Sequence, residues 1–262
     1  MTGSREPGLD GQPVDEPFGG GRARPGGPGS GGRNPAVPRP AATLILVRDG
    51  AEGVEVLGVR RAAGMRFLPG HVAFPGGAVD AADGRPLDGA VRGGVQMPQP
   101  GGDDLTAYAV AAVRECAEEI GWLCALSGAA GPSRRVPGPL RTALLEGRAD
   151  LWSVLAALDE TIDLSQLRYV GRWITPPPQP VRFDTRFFIC RTGTAIQPDW
   201  HPAEHDWAGW RPARWLLSEM IGGRAQAVRP TRAMLEAVAR CRTAEEAFTT
   251  LWVPGPVDGR AP

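Results

Sequence analysis

An acidic segment at residues 109–122 constrains the fold of this chain more than any other stretch. Glu115, Glu118 and Glu119 have the i, i+3 and i+4 spacing that places side chains on one face of an α-helix. A separate apolar stripe is formed by Ala109, Val113, Cys116 and Ile120. We therefore predict one short helix with a buried face and an acidic face, ended by Gly121 as a C-terminal cap.

The acidic face of this helix indicates a cation site. Like charges at i and i+4 destabilise a helix by about 0.2–0.5 kcal/mol, and a bridging cation removes that cost. Clustered carboxylates with little His or Cys suit Mg²⁺ or Mn²⁺ better than Zn²⁺. The alternative is an acidic face that is simply solvated.

The composition excludes several classes of function. All 29 basic residues are Arg, so neither a Schiff-base lysine nor the Lys of a phosphate-binding P-loop is present. The net charge of zero argues against nucleic-acid binding, because domains that bind nucleic acids usually carry an excess of positive charge. The four Cys residues are scattered, which is typical of buried thiols in a reducing compartment. No apolar run reaches the ~20 residues of a membrane span, so we expect a cytoplasmic protein without membrane contact.

Gly- and Pro-rich stretches divide the chain into segments. Residues 1–39 and 256–262 are predicted to be tails, the first of them disordered, and residues 40–255 a single domain. Within that domain, residues 84–104 have no periodicity and are predicted to be an inserted loop, with Asp103 or Asp104 capping the acidic helix. Residues 132–165 are predicted to be a second, helical insertion.

The remaining pattern is a mixture of strands and helices. We predict strands at 41–47, 54–59, 169–175, 183–191 and 207–210, the first two forming a hairpin. We predict helices at 139–158, at 212–220, at 231–241, and after the capping box Thr243-x-x-Glu246. This mixture indicates an α+β or mixed α/β sandwich.

The two halves of a known signature stand on either side of the 84–104 loop. The chain resembles the Nudix hydrolase family, whose box reads G-x5-E-x7-R-E-U-x-E-E-x-G-U, with U an apolar residue. The second half is matched by residues 114–122. The first half begins at Gly77 and reaches Asp83, an acid one methylene shorter than Glu, after which an insertion of about two dozen residues splits the box. The resemblance covers about residues 40–241.

A branch of larger Nudix proteins that includes peroxisomal coenzyme A diphosphatases carries such an insertion. Proteins of this kind also share a pattern upstream of the box, with the motif lapsing here at Gly58 and Val59. The matching residues are Arg61, Arg66, Gly70, Phe74, Gly76 and Gly77. By this resemblance they bind substrate, although Arg61 and Arg66 could also be ordinary surface residues of an Arg-rich chain.

The resemblance implies a mixed β-sheet sandwiched between helices and a metal-dependent enzyme. It implies that Glu115, Glu118 and Glu119 bind Mg²⁺ or Mn²⁺, with the Gly76 carbonyl as a further ligand. Arg114 is expected off the metal face, paired with Asp83, or failing that with Asp88, Asp103 or Asp104. Glu204 is a candidate general base. The alternative, a surface acid before a strand, fits the sequence at least as well. A zinc pair formed by His201 and His205 is disfavoured by Pro202.

The expected reaction is hydrolysis of the diphosphate of a nucleoside diphosphate derivative, a small-molecule substrate. Coenzyme A or acyl-coenzyme A, giving 3′,5′-ADP and 4′-phosphopantetheine, is the preferred interpretation. One alternative is a Nudix pyrophosphatase acting on ADP-ribose, NAD(H) or another nucleotide. The other is a non-catalytic ligand-binding module, which the presence of all three glutamates disfavours. A homodimer is left open.

Overall fold

The computed structural model describes residues 36–66, 68–85, 88–98, 104–127, 131–177, 179–193 and 196–256. Most of the tail predicted at 1–39, and most of the one predicted at 256–262, lie outside the described residues. The first strand already includes Arg39, and the Arg182 guanidinium donates a hydrogen bond to the Ala36 carbonyl.

The described residues contain eleven strands, six α-helices and one short 3-10 helix at Leu164–Gln166. The strands are β1 Arg39–Gly50, β2 Gly53–Arg61, β3 Val72–Ala73, β4 Gly76–Ala78, β5 Val91–Arg92, β6 Trp122–Cys124, β7 Ser133–Arg135, β8 Ile162–Asp163, β9 Arg168–Ile174, β10 Phe183–Arg191 and β11 His205–Pro212. The helices are α1 Thr106–Ile120, α2 Gly138–Leu145, α3 Leu151–Leu158, α4 Ala213–Ile221, α5 Arg229–Val238 and α6 Ala244–Thr250.

Strand β1 lies at the centre of a mixed sheet. The main path of this sheet is β11-β2-β1-β10-β9, with β3 added to β2 and β4 added to β1. Strands β1 and β10 are parallel, whereas β1 pairs antiparallel with both β2 and β4. The last pairing brings Gly76 opposite Thr43, so the Gly-rich segment is fixed to the middle of the sheet.

Alternating residues of β1 build two cores on the two faces of the sheet. Leu44 and Leu46 belong to the buried cluster that includes residues of α1, α2 and α3, whereas Ile45 and Val47 belong to the one that includes residues of α4, α5 and α6. The period of two follows from the pleat of a strand. The sheet is therefore sandwiched between helices, and the expected fold class is confirmed.

The box insertion departs from the expectation of an irregular loop. Val91 and Arg92 form β5, which pairs parallel with β8 of the second insertion. The second insertion also contacts the residues just before the box insertion, through a hydrogen bond of 2.8 Å from Trp152 Nε1 to the Ala82 carbonyl. A two-residue strand whose partner lies far along the chain leaves no periodic signal, which is why the sequence did not reveal it.

Most other element predictions are confirmed. The hairpin is β1–β2, the acidic helix is α1, and the helical segment 139–158 is divided into α2 and α3. Thr243 caps α6 by accepting a hydrogen bond from the Glu246 amide. All four cysteines are buried and unbridged. Within the described ranges, none of the helices combines the length and the apolar character needed to cross a bilayer.

Candidate active site

Helix α1 presents its three glutamates toward the sheet from a firmly anchored position. The predicted stripe of Ala109, Val113, Cys116 and Ile120 is fully buried. Gly121 ends the helix in the left-handed region, at φ 73°, as a C-terminal cap glycine does. At the other end, the Asp104 carboxylate accepts a hydrogen bond from the Thr106 amide.

Arg114 links the acidic helix to the residues after β4. Its Nε and Nη2 donate to the two carboxylate oxygens of Asp83 at 2.9 and 3.1 Å, and Nη2 also donates to the Ala78 carbonyl at 2.8 Å. Asp83 is 2 % exposed. The shorter acid therefore reaches its expected partner, because both residues are held close in the interior.

Arg114 also contacts the acidic face of α1, which corrects the expectation that its side chain lies off that face. Its Nη1 donates to Glu115 Oε1 at 3.0 Å and to the two carboxylate oxygens of Glu118 at 3.1 and 3.2 Å. Burial opposes the positive charge, but hydrogen bonding to Asp83 and the nearby carboxylates together raise the pKa of Arg114. One guanidinium thus orients two of the three glutamates.

Gly76 and Gly77 are required by close approach. A Cβ on Gly77 would lie 2.4 Å from Glu115 Oε1, and one on Gly76 would lie 2.5 Å from the Ala42 carbonyl oxygen. The Gly76 amide donates to Glu119 Oε2 at 3.3 Å. Strand β4 can lie between β1 and the acidic helix only because Gly76, which faces β1, and Gly77, which faces Glu115, lack side chains.

A cleft of about 250 Å³ opens where β4 meets α1. We call the lining residues from β4 and α1 the floor; they are Gly76, Gly77, Glu115, Glu118 and Glu119. We call the other lining residues the rim; they are Arg61, Met65, Leu145, Glu204 and His205. Residues from five parts of the chain thus converge on one acidic depression.

The carboxylates of the floor are held in an unfavourable environment for negative charge. Desolvation by burial raises the pKa of Glu115 to about 7. Burial also raises the pKa of Glu118 and, well above its usual range, that of Glu119, where the neighbouring charge of Glu115 adds to the effect. A bound cation would relieve this desolvation and repulsion.

His205 is a buried imidazole at the rim. Burial, followed by the positive charge of Arg61, lowers the pKa of His205 to about 4, so its ring is neutral near pH 7. Its Nε2 is 3.9 Å from Glu119 Oε1, and its Nδ1 has no hydrogen-bond partner among the described residues. His201 Nδ1 accepts a hydrogen bond from the Ala203 amide at 3.3 Å.

Comparison with solved structures identifies the family. The chain is 46 % identical to a NUDIX hydrolase from Alicyclobacillus acidocaldarius, covering 82 % of this chain and 97 % of that one with a TM-score of 0.75. The chain belongs to the Nudix hydrolase family. The expected family and class of enzyme are thereby confirmed.

Curated relatives of this Nudix hydrolase support the resemblance to coenzyme A diphosphatases. It is 28 % identical over 204 residues to acyl-coenzyme A diphosphatase NUDT19 of Gallus gallus, and 30 % identical over 193 residues to the Homo sapiens protein of the same name. Each alignment covers 57 % of this chain, and 54 % and 51 % of the respective relatives. The chain thus spans about half the length of the curated relatives it matches. No family model matches it.

The donor set of the Nudix hydrolase fits a hard divalent cation. As their side chains stand, no three His, Cys, Asp or Glu residues in the described ranges are grouped as a ready-made metal centre. Arg114 Nη1 donates a hydrogen bond to the carboxylate of Glu115 and another to that of Glu118. Three desolvated carboxylates on one cleft floor nevertheless have the oxygen chemistry that Mg²⁺ and Mn²⁺ prefer.

The predicted site residues are only partly brought together. Arg61, Gly76, Gly77 and Glu204 line the cleft with the three glutamates. The cleft lining does not include Arg66, Gly70 or Phe74.

These three residues have other surroundings. Phe74 is 5 % exposed and packs in the core beside α4, α5 and α6. Gly70 forms a turn at φ 72°, donating its amide to the Arg61 carbonyl, and Arg66 is exposed. A linear motif does not distinguish residues that face a ligand from residues that shape the loop carrying it.

Sequence reasoning missed Met65, Leu145 and Arg141. Met65 and Leu145 line the rim, and Arg141 donates to the carbonyls of Glu118 and Glu119. Leu145 and Arg141 belong to α2, which meets α1 only through the tertiary fold. No local signal marked them.

Proposed function

We propose that this protein hydrolyses the diphosphate bond of a coenzyme A species, giving 3′,5′-ADP and a 4′-phosphopantetheine product. The observation that carries the proposal is the cleft itself. Its lining combines three desolvated carboxylates with the glycines of β4 and with Arg61 of the upstream motif. This arrangement suits a polyanionic substrate bound together with divalent cations.

Glu115, Glu118 and Glu119, with the main chain at Gly76, are the residues that would hold Mg²⁺ or Mn²⁺. Such an ion neutralises the charge of a diphosphate and increases the acidity of a nearby water. The chain's own contribution is to keep these carboxylates aligned. Arg114 does so through Glu115 and Glu118, and the Gly76 amide does so through Glu119.

Glu204 is proposed to accept the proton of the attacking water. The water oxygen forms a bond to one phosphorus, the bridging P–O bond breaks, and the leaving phosphate takes the electron pair. Glu204 lies on the rim next to His205, and its main-chain carbonyl accepts a hydrogen bond from the Ala62 amide at 2.8 Å. That contact fixes the main chain at Glu204, which is half-buried where it lines the cleft.

The coenzyme A assignment rests on Arg61 and on the curated relatives. Arg61 lines the cleft, and a guanidinium suits phosphate oxygens through paired hydrogen bonds. The relatives named acyl-coenzyme A diphosphatase share 28–30 % identity with this chain. The cleft is smaller than the ~300–1,000 Å³ that encloses a drug-sized ligand, so it fits the diphosphate while the rest of the substrate extends past the rim.

The first experiment tests catalysis through the acidic helix. Glu118→Gln and Glu119→Gln should each lower kcat by about two orders of magnitude or more with the fold intact, because a neutral amide binds a hard cation poorly. Glu236→Gln, an exposed acid on α5 paired with Arg232, is the matched control and should leave the rate unchanged. Activity that survives both site variants, or survives EDTA, refutes the proposed chemistry.

The second experiment identifies the substrate. Purified protein is assayed with Mg²⁺ and with Mn²⁺ on coenzyme A, acyl-coenzyme A, ADP-ribose and NADH, and kcat/KM values are compared. The coenzyme A species should be preferred. A much higher kcat/KM for ADP-ribose or NADH would move the protein to the general nucleotide pyrophosphatases, and no turnover of any diphosphate would leave a ligand-binding module.

A further inference from the structure

The last turn of α1 is held from outside the helix. A helix leaves its final four carbonyl groups without intrahelical partners. Here the Glu118 carbonyl accepts hydrogen bonds from Arg141 Nε and Nη2 at 3.0 and 2.8 Å, and the Glu119 carbonyl accepts from Arg141 Nη2 at 3.1 Å. The Ile120 carbonyl accepts from the Asp199 amide at 2.9 Å. One side chain therefore binds the peptide groups of two of the cleft glutamates.

Arg141 comes from the helical insertion. It lies in α2, its side chain is 11 % exposed, and its Nη1 is 3.7 Å from Asp199 Oδ1. Leu145, about one turn further along α2, reaches the rim of the cleft. The same short helix thus holds the C-terminal turn of the acidic helix through Arg141 and lines the cleft through Leu145.

The chemistry of this contact requires a guanidinium. The planar fork presents several N–H donors in fixed directions, so it can bridge two consecutive carbonyl groups. A positive charge at this end also interacts favourably with the helix dipole. A lysine ammonium would retain the charge but could not reproduce the fixed geometry of three hydrogen bonds.

We infer that Arg141 is a positioning residue, which sets the directions of the Glu118 and Glu119 carboxylates by fixing the peptide groups that carry them. The inference rests on the proposed function in that these carboxylates bind the divalent cation. It assigns to the insertion helix α2 a role in metal affinity rather than in stability alone. Residues that orient metal ligands without touching the metal commonly change affinity by about 10–100-fold when they are replaced.

The test measures metal binding without substrate. Mn²⁺ is titrated into wild-type, Arg141→Met and Arg141→Lys proteins, and free Mn²⁺ is followed by electron paramagnetic resonance. We expect the Mn²⁺ dissociation constant to rise about tenfold or more in Arg141→Met and by a smaller factor in Arg141→Lys. Arg148→Met is the matched control, because Arg148 follows α2, is 61 % exposed and pairs only with Glu146 among the described residues. It should bind Mn²⁺ as the wild type does.

Two outcomes overturn the inference. One is an Arg141→Met protein that unfolds cooperatively and binds Mn²⁺ within twofold of wild type; if that variant does not fold, wild-type affinity in Arg141→Lys has the same meaning. The other is a wild-type protein that binds no Mn²⁺. A kcat measurement on the same samples separates the two proposals. If the Mn²⁺ affinity depends on Arg141 but the wild-type protein cleaves no diphosphate, only the proposed function is refuted. If the wild-type protein cleaves a diphosphate but its Mn²⁺ affinity does not depend on Arg141, only the positioning role is refuted.

Discussion

Replacing Gly77 by Ala tests the close packing between β4 and the acidic helix. The added Cβ would lie 2.4 Å from Glu115 Oε1 and 2.6 Å from Glu115 Cδ. Ordinary contact begins near 3.4 Å, so the carboxylate must move by about 1 Å. Gly77 is not among the glycines with positive φ, so its backbone accommodates Ala without strain.

The expected cost in stability is small and the expected cost in activity is large. Moving Glu115 breaks its 3.0 Å hydrogen bond with Arg114, which contributes about 1.5–3 kcal/mol as a charged bond. Ala recovers about 0.4–1 kcal/mol by restricting the unfolded chain. The net loss is about 1–2 kcal/mol, or about 2–8 °C in Tm for a domain of this size. Misplacing a catalytic group by 1 Å can reduce kcat by about 10²-fold.

Two other glycines make the experiment specific. On Gly94 an added Cβ would meet no atom of the described residues within 4 Å, so Gly94→Ala should change neither quantity. On Gly76 the added Cβ meets the Ala42 carbonyl oxygen and the Thr43 Cα, which belong to the backbone and cannot rotate away. Gly76→Ala should therefore mainly lower Tm. A Gly77→Ala enzyme with kcat within threefold of wild type would refute the reasoning.

Three further predictions follow from other contacts. Asp83→Asn removes the buried partner of Arg114 and should cost about 3 kcal/mol, lowering Tm by about 6–12 °C in a thermal melt; a shift below 2 °C would contradict it. Arg66 is exposed and follows the cleft residue Met65, and we propose that it reaches the 3′-phosphate outside the cleft; Arg66→Ala should then raise KM for coenzyme A about tenfold through the loss of one charged hydrogen bond and leave KM for dephospho-coenzyme A unchanged, whereas equal changes would refute this contact. Trp152→Phe removes the donor to the Ala82 carbonyl and should lower the free energy of unfolding in urea by about 1 kcal/mol, whereas unchanged stability would show that this bond does not help to hold the second insertion in place.

The parts of the fold that were predictable are those with local signals. The stripe and the cap glycine defined α1, and short runs rich in apolar and aromatic residues defined β1 and β10, because each pattern reports the side chains of a single element. Asp83 as the partner of Arg114 was also predictable, since the spacing of the split box indicated which acid to expect.

The missed features depend on contacts between distant segments. Arg141 reaches the last turn of α1 only when α2 packs there, and in a chain whose 29 basic residues are all Arg it had no distinguishing mark. Phe74 was expected to contact substrate because it occupies a motif position, but its apolar ring is buried in the core. Burial of that kind is decided by the sheet, which brings Phe74 next to helices encoded more than a hundred residues later.

The parallel pairing of β1 with β10 has a consequence for how the chain reaches this state. The ladder partner of Arg39 is Phe183, so the central strand is completed by a strand that is synthesised long after it. Until then, the β1–β2 hairpin presents an unpaired edge and two apolar faces, a surface that invites aggregation. Closing such a long loop is slow, and the acidic helix packs on this same sheet. A nascent chain that stops before β10 therefore contains Glu115, Glu118 and Glu119 without the complete sheet on which the acidic helix packs.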